Sequence, residues 1–523
     1  MTDKYGYDVI VVGAGIGGLT VGNILAKNGM KVLILEKNHA AGGGVSTYYR
    51  NGYPIDISHA LGAFNEGACL KNMLEYLGVY KKLEFVKLDK TFIFITPNSN
   101  KPIFCYADFD RYTQELKSHF PDEIENVKRF FDEIRRVWSE EILRSYYNPS
   151  LLLLLLYPFL FPRLFRYRNY TFEQLLNKFI KSPYLKEIIS VGWLYLGTEK
   201  EYLSALYMIC LFGVYQQEGS YFIKGGFGQL ISALASNLKD LGGEILLNTE
   251  IKKILLNNKK IAYAVRDKKG NVYRANIIVS NADSKRTFLE LLDRDCTPKK
   301  FLEKINKTIM TKSVVQVHVF AEAEVGREFL SSGSIILPFC VDLEKKLRIA
   351  IKSNAQSHEK SVLFLSIHPL EEFVTGSPMN NFVFNIGWYP ADYYLWKRYF
   401  DSFGKEEYEN IKREISQILI GELEKVWKIK NVKFVNVLTP LSMEKWLGAT
   451  GGAIYDLALI PEQALFNRLK HKTPIKNLYL VGAKTFPGNG MAGGLFSAFA
   501  LGDIILDGKL TKGKVTLKYH GIR

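Results

Sequence analysis

Apolar residues in this chain come in short runs that end at glycines, most clearly near its start. Residues 8–12 form an apolar, β-branched run bounded by Gly13, and this pattern predicts a buried strand. Residues 19–28 predict a helix with one apolar side, and residues 31–35 predict a second buried strand. The order of strand, glycine turn, helix and strand is typical of a parallel α/β unit.

The rest of the chain continues to alternate between strand-like and helix-like patterns. Period-two alternation or short apolar runs predict strands at residues 91–95, 244–247, 275–282, 314–321, 363–368, 381–388 and 478–481. Helical spacing predicts helices at residues 121–143, 202–215, 229–241 and 408–426, and from Leu495 onward. The later strands predict a mixed sheet with helices covering one face.

Residues 149–168 combine a strongly apolar run with arginines. The apolar part is shorter than the ~20 residues that a membrane-spanning helix needs, and prolines interrupt it. Two interpretations remain open. The run is a core helix, or it inserts into one leaflet while Arg163, Arg166 and Arg168 lie at the lipid headgroups.

The composition is that of a folded protein. The chain has 523 residues, 47% hydrophobic and 23% charged, which is enough for two or three domains. The net charge of +16 comes from dispersed lysines and a basic tail, residues 509–523. This charge indicates a solvated surface or attraction to an anionic membrane. Nucleic acid is not an expected partner, because the basic residues form no nucleic-acid-binding motif.

The five cysteines are scattered and form no CxxC pair. Neither a zinc site nor a disulfide framework is predicted, and we expect no bound metal. No secretory signal pattern precedes the first predicted strand. The expected location is therefore cytoplasmic.

The first glycine turn has the spacing of a dinucleotide-binding site. Gly13 allows a tight turn, Gly15 lets the backbone approach a pyrophosphate, and Gly18 lets the helix lie close to the strand. The N–H groups at the helix start stabilise phosphate. Glu36 follows the second strand, where it would accept hydrogen bonds from a ribose diol.

The next glycines carry a family resemblance. Gly42, Gly43 and Gly44 follow a few residues after the acid. An acid followed by a glycine pair resembles the amine-oxidase and phytoene-desaturase branch of FAD proteins, in which this second loop folds over the phosphates. Many members carry arginine directly after the pair. Gly44 lacks that phosphate contact and is similar to the carotene isomerase and retinol saturase side of the family.

Three later segments resemble the remaining FAD motifs of the family. Residues 224–228 open a helix that leads to Ile251, whose backbone position contacts the adenine in that family. The strand that returns toward the cofactor ends at Asn281. Residues 477–506 resemble the closing strand, PGxG loop and helix. That helix starts near Met491 and would stabilise an anionic reduced flavin.

The resemblance implies non-covalent FAD binding through a defined set of positions. These are Gly13, Ala14, Gly15, Gly18, Glu36, Lys37, Gly42, Gly43, Gly44, Ile251, Asn281, Gly482, Ala483, Gly490, Met491 and Ala492. His59 matches a histidine of the saturase-like pattern. It is a candidate proton carrier at the flavin or substrate, or else it only hydrogen-bonds a neighbouring loop.

The predicted fold class is α/β, with a Rossmann-like FAD-binding domain that is discontinuous in sequence and a substrate domain of mixed sheet and helices. The FAD-binding domain is assigned residues 1–82, 216–296 and 441–508. The substrate domain is assigned residues 83–215, including an apolar membrane-facing segment, and 297–440. Residues 509–523 form the basic tail.

The expected function is that of an FAD-dependent oxidoreductase acting on carbon–carbon bonds of a long, apolar polyisoprenoid at a membrane surface. A carotenoid desaturase similar to phytoene desaturase is preferred. The alternatives are a carotene cis–trans isomerase, a reductase similar to retinol saturase, a flavin amine oxidase and a non-enzymatic prenyl-binding carrier. The electron acceptor stays open, with quinone and oxygen as candidates.

Overall fold

The structure is a computed structural model that describes residues 6–95, 102–142, 158–330, 332–337, 342–353, 362–372 and 380–512. Its strands are β1 (Gly6–Val12), β2 (Val32–Leu35), β3 (Thr47–Arg50), β4 (Tyr53–Asp56), β5 (Leu61–Gly62), β6 (Phe85–Leu88), β7 (Lys90–Phe94), β8 (Ile103–Tyr106), β9 (Ser220–Ile223), β10 (Glu244–Leu246), β11 (Ile251–Leu256), β12 (Ala262–Asp267), β13 (Val272–Ser280), β14 (Ser313–Glu324), β15 (Ser332–Leu337), β16 (Val362–Pro369), β17 (Asn381–Ala391), β18 (Lys428–Leu438) and β19 (Leu478–Leu480). Its helices are α1 (Ile16–Lys27), α2 (Cys69–Leu77), α3 (Phe109–His119), α4 (Ile124–Arg136), α5 (Pro162–Tyr167), α6 (Phe172–Leu176), α7 (Pro183–Ser190), α8 (Ala205–Phe212), α9 (Gly228–Asp240), α10 (Ser284–Leu289), α11 (Lys299–Lys307), α12 (Arg327–Leu330), α13 (Lys345–Ala350), α14 (Tyr393–Glu424), α15 (Pro440–Leu447), α16 (Gly490–Ile505) and α17 (Lys509–Lys512).

The first sheet is built from strands of three distant parts of the chain. Its order is β10-β2-β1-β13-β12-β11, and β19 pairs with the C-terminal end of β13. The pairs of β10 with β2, β2 with β1, β1 with β13 and β13 with β19 are parallel. The carboxyl ends of β1, β2, β13 and β19 therefore meet at one edge of the sheet, where α/β folds bind their ligands.

The central strand β1 is apolar over residues 9–12 because both faces of the sheet are covered there. Val9, Ile10 and Val11 are fully buried. Val9 and Val11 pack in one core cluster with residues of α1, and Ile10 packs in the cluster on the other face. The run consequently reads as continuously apolar rather than alternating.

Helices α1 and α16 cross at a distance that only glycine permits. A Cβ added to Gly494 would lie 2.7 Å from Cγ2 of Ile16, and one added to Gly502 would lie 2.7 Å from Cγ2 of Ile24. Ile16 and Gly494 lie in the first turns of their helices. The crossing thus brings two helix N-termini together at the edge where the parallel strands end.

The second sheet has the order β18-β14-β17-β16-β15-β7-β8. Only the pairing of β15 with β7 is parallel, so the sheet is mixed, as the sequence predicts. One face of β14 packs Val315 and Val317 into a core cluster that also contains Trp396 of α14. The other face carries Val314 and Gln316 toward the interior cavity.

Each predicted strand overlaps an observed strand, whereas three predicted helices have different bounds. The predicted helix 121–143 is α4 followed by a π-helical turn, Val137–Ile142. The predicted helix 202–215 is α8 followed by a second π-helical turn, Gly213–Gln217. The helix predicted at 408–426 is the second of two helical segments in α14, because Gly404, with φ of 77°, is not helical and separates it from the segment that begins at Tyr393.

The apolar stretch 149–168 lies partly outside the described residues, which resume at Pro158. The part that is described corrects one expectation. Arg163 forms ion pairs with Glu133 and Glu141, both at 3.4 Å, because these acids lie beside the start of α5. Its charge is therefore neutralised within the protein. No helix among the described residues has both the length and the apolar character needed to cross a bilayer.

Candidate active site

One cavity of about 540 Å³ links the edge of the first sheet to the inner face of the second sheet. It is lined at one end by the glycine turns that follow β1, β2 and β19, and at the other end by side chains of β14 and β16. This volume is in the range of ligand pockets in proteins. The cavity therefore connects the site predicted for a dinucleotide with a second, more apolar compartment.

The first glycine turn leaves room that any larger residue would fill. A Cβ on Gly15 would lie 2.8 Å from Nδ2 of Asn281, and one on Gly17 would lie 3.0 Å from its Oδ1. A Cβ on Gly18 would lie 2.1 Å from the carbonyl oxygen of Gly13. Gly15 and Gly17 therefore let the start of α1 lie against the side chain of Asn281, and Gly18 lets α1 pack directly on the turn.

Glu36 is buried at the end of β2, with its carboxylate fixed by the backbone. The N–H of Ala14 donates to Oε2 at 2.8 Å, and the N–H of Asn38 donates to Oε1 at 2.9 Å. A carboxylate has about four acceptor positions, so each oxygen keeps one for a further donor. This geometry suits a ribose diol, as the sequence predicts.

The second glycine turn packs against the end of α15. The indole Nε1 of Trp446 donates to the carbonyl oxygen of Gly43 at 3.3 Å. Lys37 donates from Nζ to the carbonyl oxygen of Lys445 at 2.7 Å, and burial lowers the pKa of Lys37, with a further contribution from Arg286. The loop after β2 and the end of α15 thus form one wall of the cavity.

The closing glycine loop brings buried charges to the cavity. Lys484 lies in this loop, is almost fully buried and donates from Nζ to the carbonyl oxygen of Val481 at 2.8 Å. Burial lowers its pKa, while the carboxylates of Asp456 and Asp283 act in the opposite direction. Burial raises the pKa of Asp456 to about 6. The positive charge of Lys484 and the negative charges of Asp456 and Asp283 therefore offset one another at the cavity wall.

The structure brings most of the predicted cofactor residues to this one cavity. Those that line it are Gly13, Gly15, Glu36, Lys37, Gly42, Gly43, Gly44, Ile251, Asn281, Gly482, Ala483, Gly490, Met491 and Ala492, together with His59. Ala14 and Gly18 lie behind the wall, where they support Glu36 and the first turn. Sequence reasoning missed Arg286, Trp446 and Lys484, because none of them occupies a motif position and only the fold brings them to the cavity.

The segment before His59 crosses the inner face of the second sheet on polar contacts. The carbonyl oxygen of Asp56 accepts from Nε2 of His318 at 3.1 Å and from Nδ2 of Asn385 at 2.8 Å. The carbonyl oxygen of Ile57 accepts from Nε2 of Gln316 at 3.0 Å. These bonds fix the segment across β14 and β17 and position His59 at the cavity.

His59 is held in place on one side only. Its Nδ1 lies 3.2 Å from Oγ of Ser366, and its ring packs edge-on against Phe364 with 5.0 Å between centroids. Its Nε2 is buried and has no hydrogen-bond partner among the described residues. Burial, with smaller contributions from His368 and His318, lowers the pKa of His59 to about 3. The imidazole is therefore neutral near pH 7.

The compartment next to the second sheet is largely apolar and aromatic. Its lining includes Ile57, Ala60, Leu194, Leu196, Leu211, Val214, Val314, Phe364 and Leu459, together with the titratable residues His59, Tyr195, Tyr207, Cys210, Tyr215 and Tyr455. Burial raises the pKa of Tyr455 and of Cys210 to about 12. It also raises the pKa of Tyr195, Tyr207 and Tyr215. Every one of these groups is uncharged near pH 7.

The glycine turns and the apolar compartment meet within one cavity. A family model for flavin containing amine oxidoreductase matches residues 16–366. The chain belongs to this family. The predictions of the family, of the α/β fold class, of an FAD-dependent oxidoreductase and of FAD as cofactor are thereby confirmed.

Relatives of known activity act on polyenes, and related solved structures share the fold. A chloroplastic prolycopene isomerase from Daucus carota is 27% identical over 94% of this chain and 78% of its own length. An all-trans-retinol 13,14-reductase from Danio rerio is 26% identical over 96% of this chain and 86% of its own length. Cyclohexylamine oxidase from Brevibacterium oxydans superposes with a TM-score of 0.57 at 16% identity, covering 96% of this chain and 100% of that one.

The residues of the cavity fit FAD. The glycine turns at the helix starts line the cavity, and Glu36 keeps free acceptor positions at the end of β2. The N-termini of α1 and α16 add partial positive charge at the same edge. The individual cofactor contacts remain predictions. Among the described residues, no group of three or more His, Cys, Asp or Glu side chains could hold a metal ion.

Proposed function

We propose that this protein isomerises conjugated carbon–carbon double bonds of a long, apolar isoprenoid, with FAD held non-covalently. The observation that carries this proposal is the neutral lining of the apolar compartment. His59 and the tyrosines there do not change charge near pH 7. Isomerisation needs no net transfer of a proton, whereas desaturation must remove one and reduction must add one.

The apolar compartment supplies the affinity for such a substrate. A hydrocarbon offers few polar groups, so binding must come from burial of apolar surface, at ~25 cal/mol per Å². When bound, FAD would supply reversible electron or hydride transfer to the substrate, with none consumed over a complete isomerisation cycle. The protein itself contributes a dry compartment of fixed shape. Phe364 and Leu194 exclude water, and the contacts of the segment at His59 hold the wall rigid.

The relatives support this choice over the desaturase preferred from sequence. The prolycopene isomerase and the retinol reductase are 27% and 26% identical to the chain, whereas a phytoene desaturase from Paracoccus sp. that covers 95% of it is 23% identical. Gly44 and the loop at Pro487 also resemble the isomerase and saturase side of the family. We therefore propose isomerisation in preference to desaturation, and incubation with the three polyenes distinguishes the two reactions.

A reductase of a polyene alcohol is the second candidate. Two polar atoms in the apolar compartment, Nε2 of His59 and Oε1 of Gln316, are buried without a hydrogen-bond partner among the described residues. Leaving such atoms unpaired costs free energy. A substrate hydroxyl group would satisfy one or both of them, as a retinol-like substrate would.

The test is incubation of the purified protein with a poly-cis-lycopene, retinol and phytoene, each under oxidising and reducing conditions. An isomerase needs reductant but does not consume it, and the polyene keeps its number of double bonds. A reductase consumes reductant and shortens the conjugation. A desaturase consumes acceptor, either quinone or oxygen, and lengthens it. Turnover of an amine without any polyene change would favour the amine-oxidase alternative and contradict the proposal.

The non-covalent state of FAD is tested by acid precipitation, which should release the flavin to the supernatant. Flavin that stays with the precipitate would contradict this part of the proposal. Bound polyene without any flavin spectrum would instead favour the carrier alternative.

We further propose that the protein binds membranes peripherally. Phe159, Leu160 and Phe165, here called the apolar surface, are exposed next to the segment 151–157, and Phe159 is 81% exposed. Arg166 and Arg168 are exposed beside it, and the guanidinium of Arg168 lies 3.5 Å from the ring centroid of Phe165. Apolar side chains flanked by arginine are typical of an interfacial contact with anionic lipid.

A further inference from the structure

The absence of a side chain at Gly44 is not required by packing or by the backbone. A Cβ built on Gly44 would meet a single atom within 4 Å, Cδ2 of Leu447 at 3.8 Å, which is an ordinary contact. Gly44 also lies outside the left-handed region that favours glycine, unlike Gly42 and Gly43. The position would therefore accept the arginine that many relatives carry there, and the chain must meet the charge of a diphosphate in another way.

Two cations reach the same wall of the cavity from other elements. A Cβ on Gly448, the residue after Leu447, would lie 2.5 Å from Nη1 of Arg286 and 3.2 Å from Nζ of Lys37. Both side chains line the cavity. Arg286 comes from α10, which follows β13, and Lys37 follows β2, so two parallel strands of the first sheet deliver the pair.

The existing contacts of Arg286 leave donors for a ligand. Its Nε donates to Oε2 of Glu290 at 3.1 Å, and its Nη1 approaches the carbonyl oxygen of Gly448 at 3.5 Å. A guanidinium has five N–H groups. Burial and, next, the charge of Arg286 lower the pKa of Lys37, and a bound anion would favour its charged form.

We propose that Arg286, with Lys37 beside it, supplies the cationic contact to the diphosphate of FAD that an arginine at position 44 supplies in many relatives. The inference deepens the proposed cofactor site and rests on FAD binding there. A guanidinium suits this task because it can form two parallel hydrogen bonds to phosphate oxygens. The motif residues alone could not show this, since Arg286 lies more than two hundred positions from Gly44.

A purely structural role for the pair makes a different prediction. Arg286 and Lys37 both approach carbonyl oxygens at the end of α15, where cations stabilise a helix C-terminus. If that were their only role, removing Arg286 would destabilise the apoprotein, and an arginine placed at position 44 would not restore FAD affinity.

The experiment measures the Kd of FAD by quenching of its fluorescence on titration with apoprotein. The variants are Arg286→Ala, Gly44→Arg and the double variant, with Arg266→Ala as the matched control on an exposed part of β12. We expect Arg286→Ala to raise the Kd about 10- to 100-fold. The double variant should restore most of the lost affinity. The control should bind FAD as wild type does. The salt dependence of the Kd should weaken in Arg286→Ala and return in the double variant.

Several outcomes would overturn the inference. An Arg286→Ala protein that binds FAD within about twofold of wild type would do so. So would a loss of affinity that Gly44→Arg does not reverse, particularly with a lower melting temperature of the apoprotein. If Arg286→Ala does not fold, Arg286→Gln is tested instead by the same salt dependence, and an unchanged dependence overturns the inference. Failure of wild type to bind FAD at all would instead reject the proposed function.

Discussion

At the scale of single residues, His318 shows how a buried histidine makes stability depend on pH. It is fully buried on β14, with Nε2 bonded to the carbonyl oxygen of Asp56. Burial lowers its pKa to about 4 from the usual 6.5 of a histidine. A histidine with a depressed pKa stabilises the fold above its unfolded pKa, and this contribution is lost as the pH falls toward the folded pKa.

The variant His318→Gln isolates this effect, because glutamine keeps an N–H donor for Asp56 but does not titrate. Between about pH 6.5 and pH 4, wild type should lose stability relative to the variant by up to ~1.4 kcal/mol per pH unit. The measurement is the difference between the thermal unfolding midpoints of the two apoproteins at about pH 7 and pH 5. A difference that does not change with pH would show that His318 protonates in the folded protein.

Glu36 carries the second prediction at this scale. Glu36→Gln keeps an acceptor for the N–H of Ala14 but removes the negative charge expected to bind the ribose. The Kd of FAD should rise about 10- to 100-fold, equivalent to ~1.5–3 kcal/mol for a hydrogen bond to a charged group. Glu303→Gln, on the exposed side of α11, is the control. Equal affinities of all three proteins in fluorescence titration would remove Glu36 from the site.

At the scale of elements, α1 packs so closely on the first glycine turn that Gly18 has no room for a side chain, whereas Gly421 of α14 has room for one. Gly18→Ala should destabilise the fold by ~1–3 kcal/mol, because its Cβ would lie 2.1 Å from the carbonyl oxygen of Gly13. Gly421→Ala, in the last turn of α14 with nothing within 4 Å of its Cβ, should stabilise it by ~0.5–1 kcal/mol. The melting temperature of each variant apoprotein, compared with that of wild type, measures its change in stability. Shifts of the same sign for the two variants would contradict the prediction.

The sequence predicted elements well where one physical signal dominates. β1 and β2 carry buried apolar runs that are easily recognised, whereas β11 and β12 of the same sheet mix buried with exposed positions and were not predicted. The prediction failed where packing between distant residues sets the geometry of a helix. At Gly213 a Cβ would lie 2.1 Å from the ring of Trp138, and there the helix widens into a π-helical turn. For the same reason the cavity residue Arg286 was not predicted, since only the pairing of β13 with β1 brings it to the glycine turns.

At the scale of the whole molecule, the apolar surface predicts membrane affinity. The double variant Phe159→Ser/Leu160→Ser should bind anionic vesicles at least about tenfold more weakly, since burying one large apolar side chain contributes ~1.5–3 kcal/mol. Ile349→Ser, an equally simple change at an exposed position of α13, is the control. Co-sedimentation with anionic vesicles at low salt measures the combined electrostatic and apolar affinity. At high salt, where charges are screened, it measures the apolar contribution. Equal sedimentation of wild type and double variant would exclude this surface as the contact.

The first sheet collects β1 and β2 from the start of the chain, β13 from its middle and β19 from near its end. A ribosome must therefore make almost the whole protein before the edge of this sheet is complete. Until β19 and α16 have emerged, β13 lacks a neighbour along its C-terminal end, and the glycine turns lack the floor formed by the closing loop. We therefore expect a nascent chain that stops before residue 478 to take up no flavin, so that uptake of flavin reports completion of synthesis.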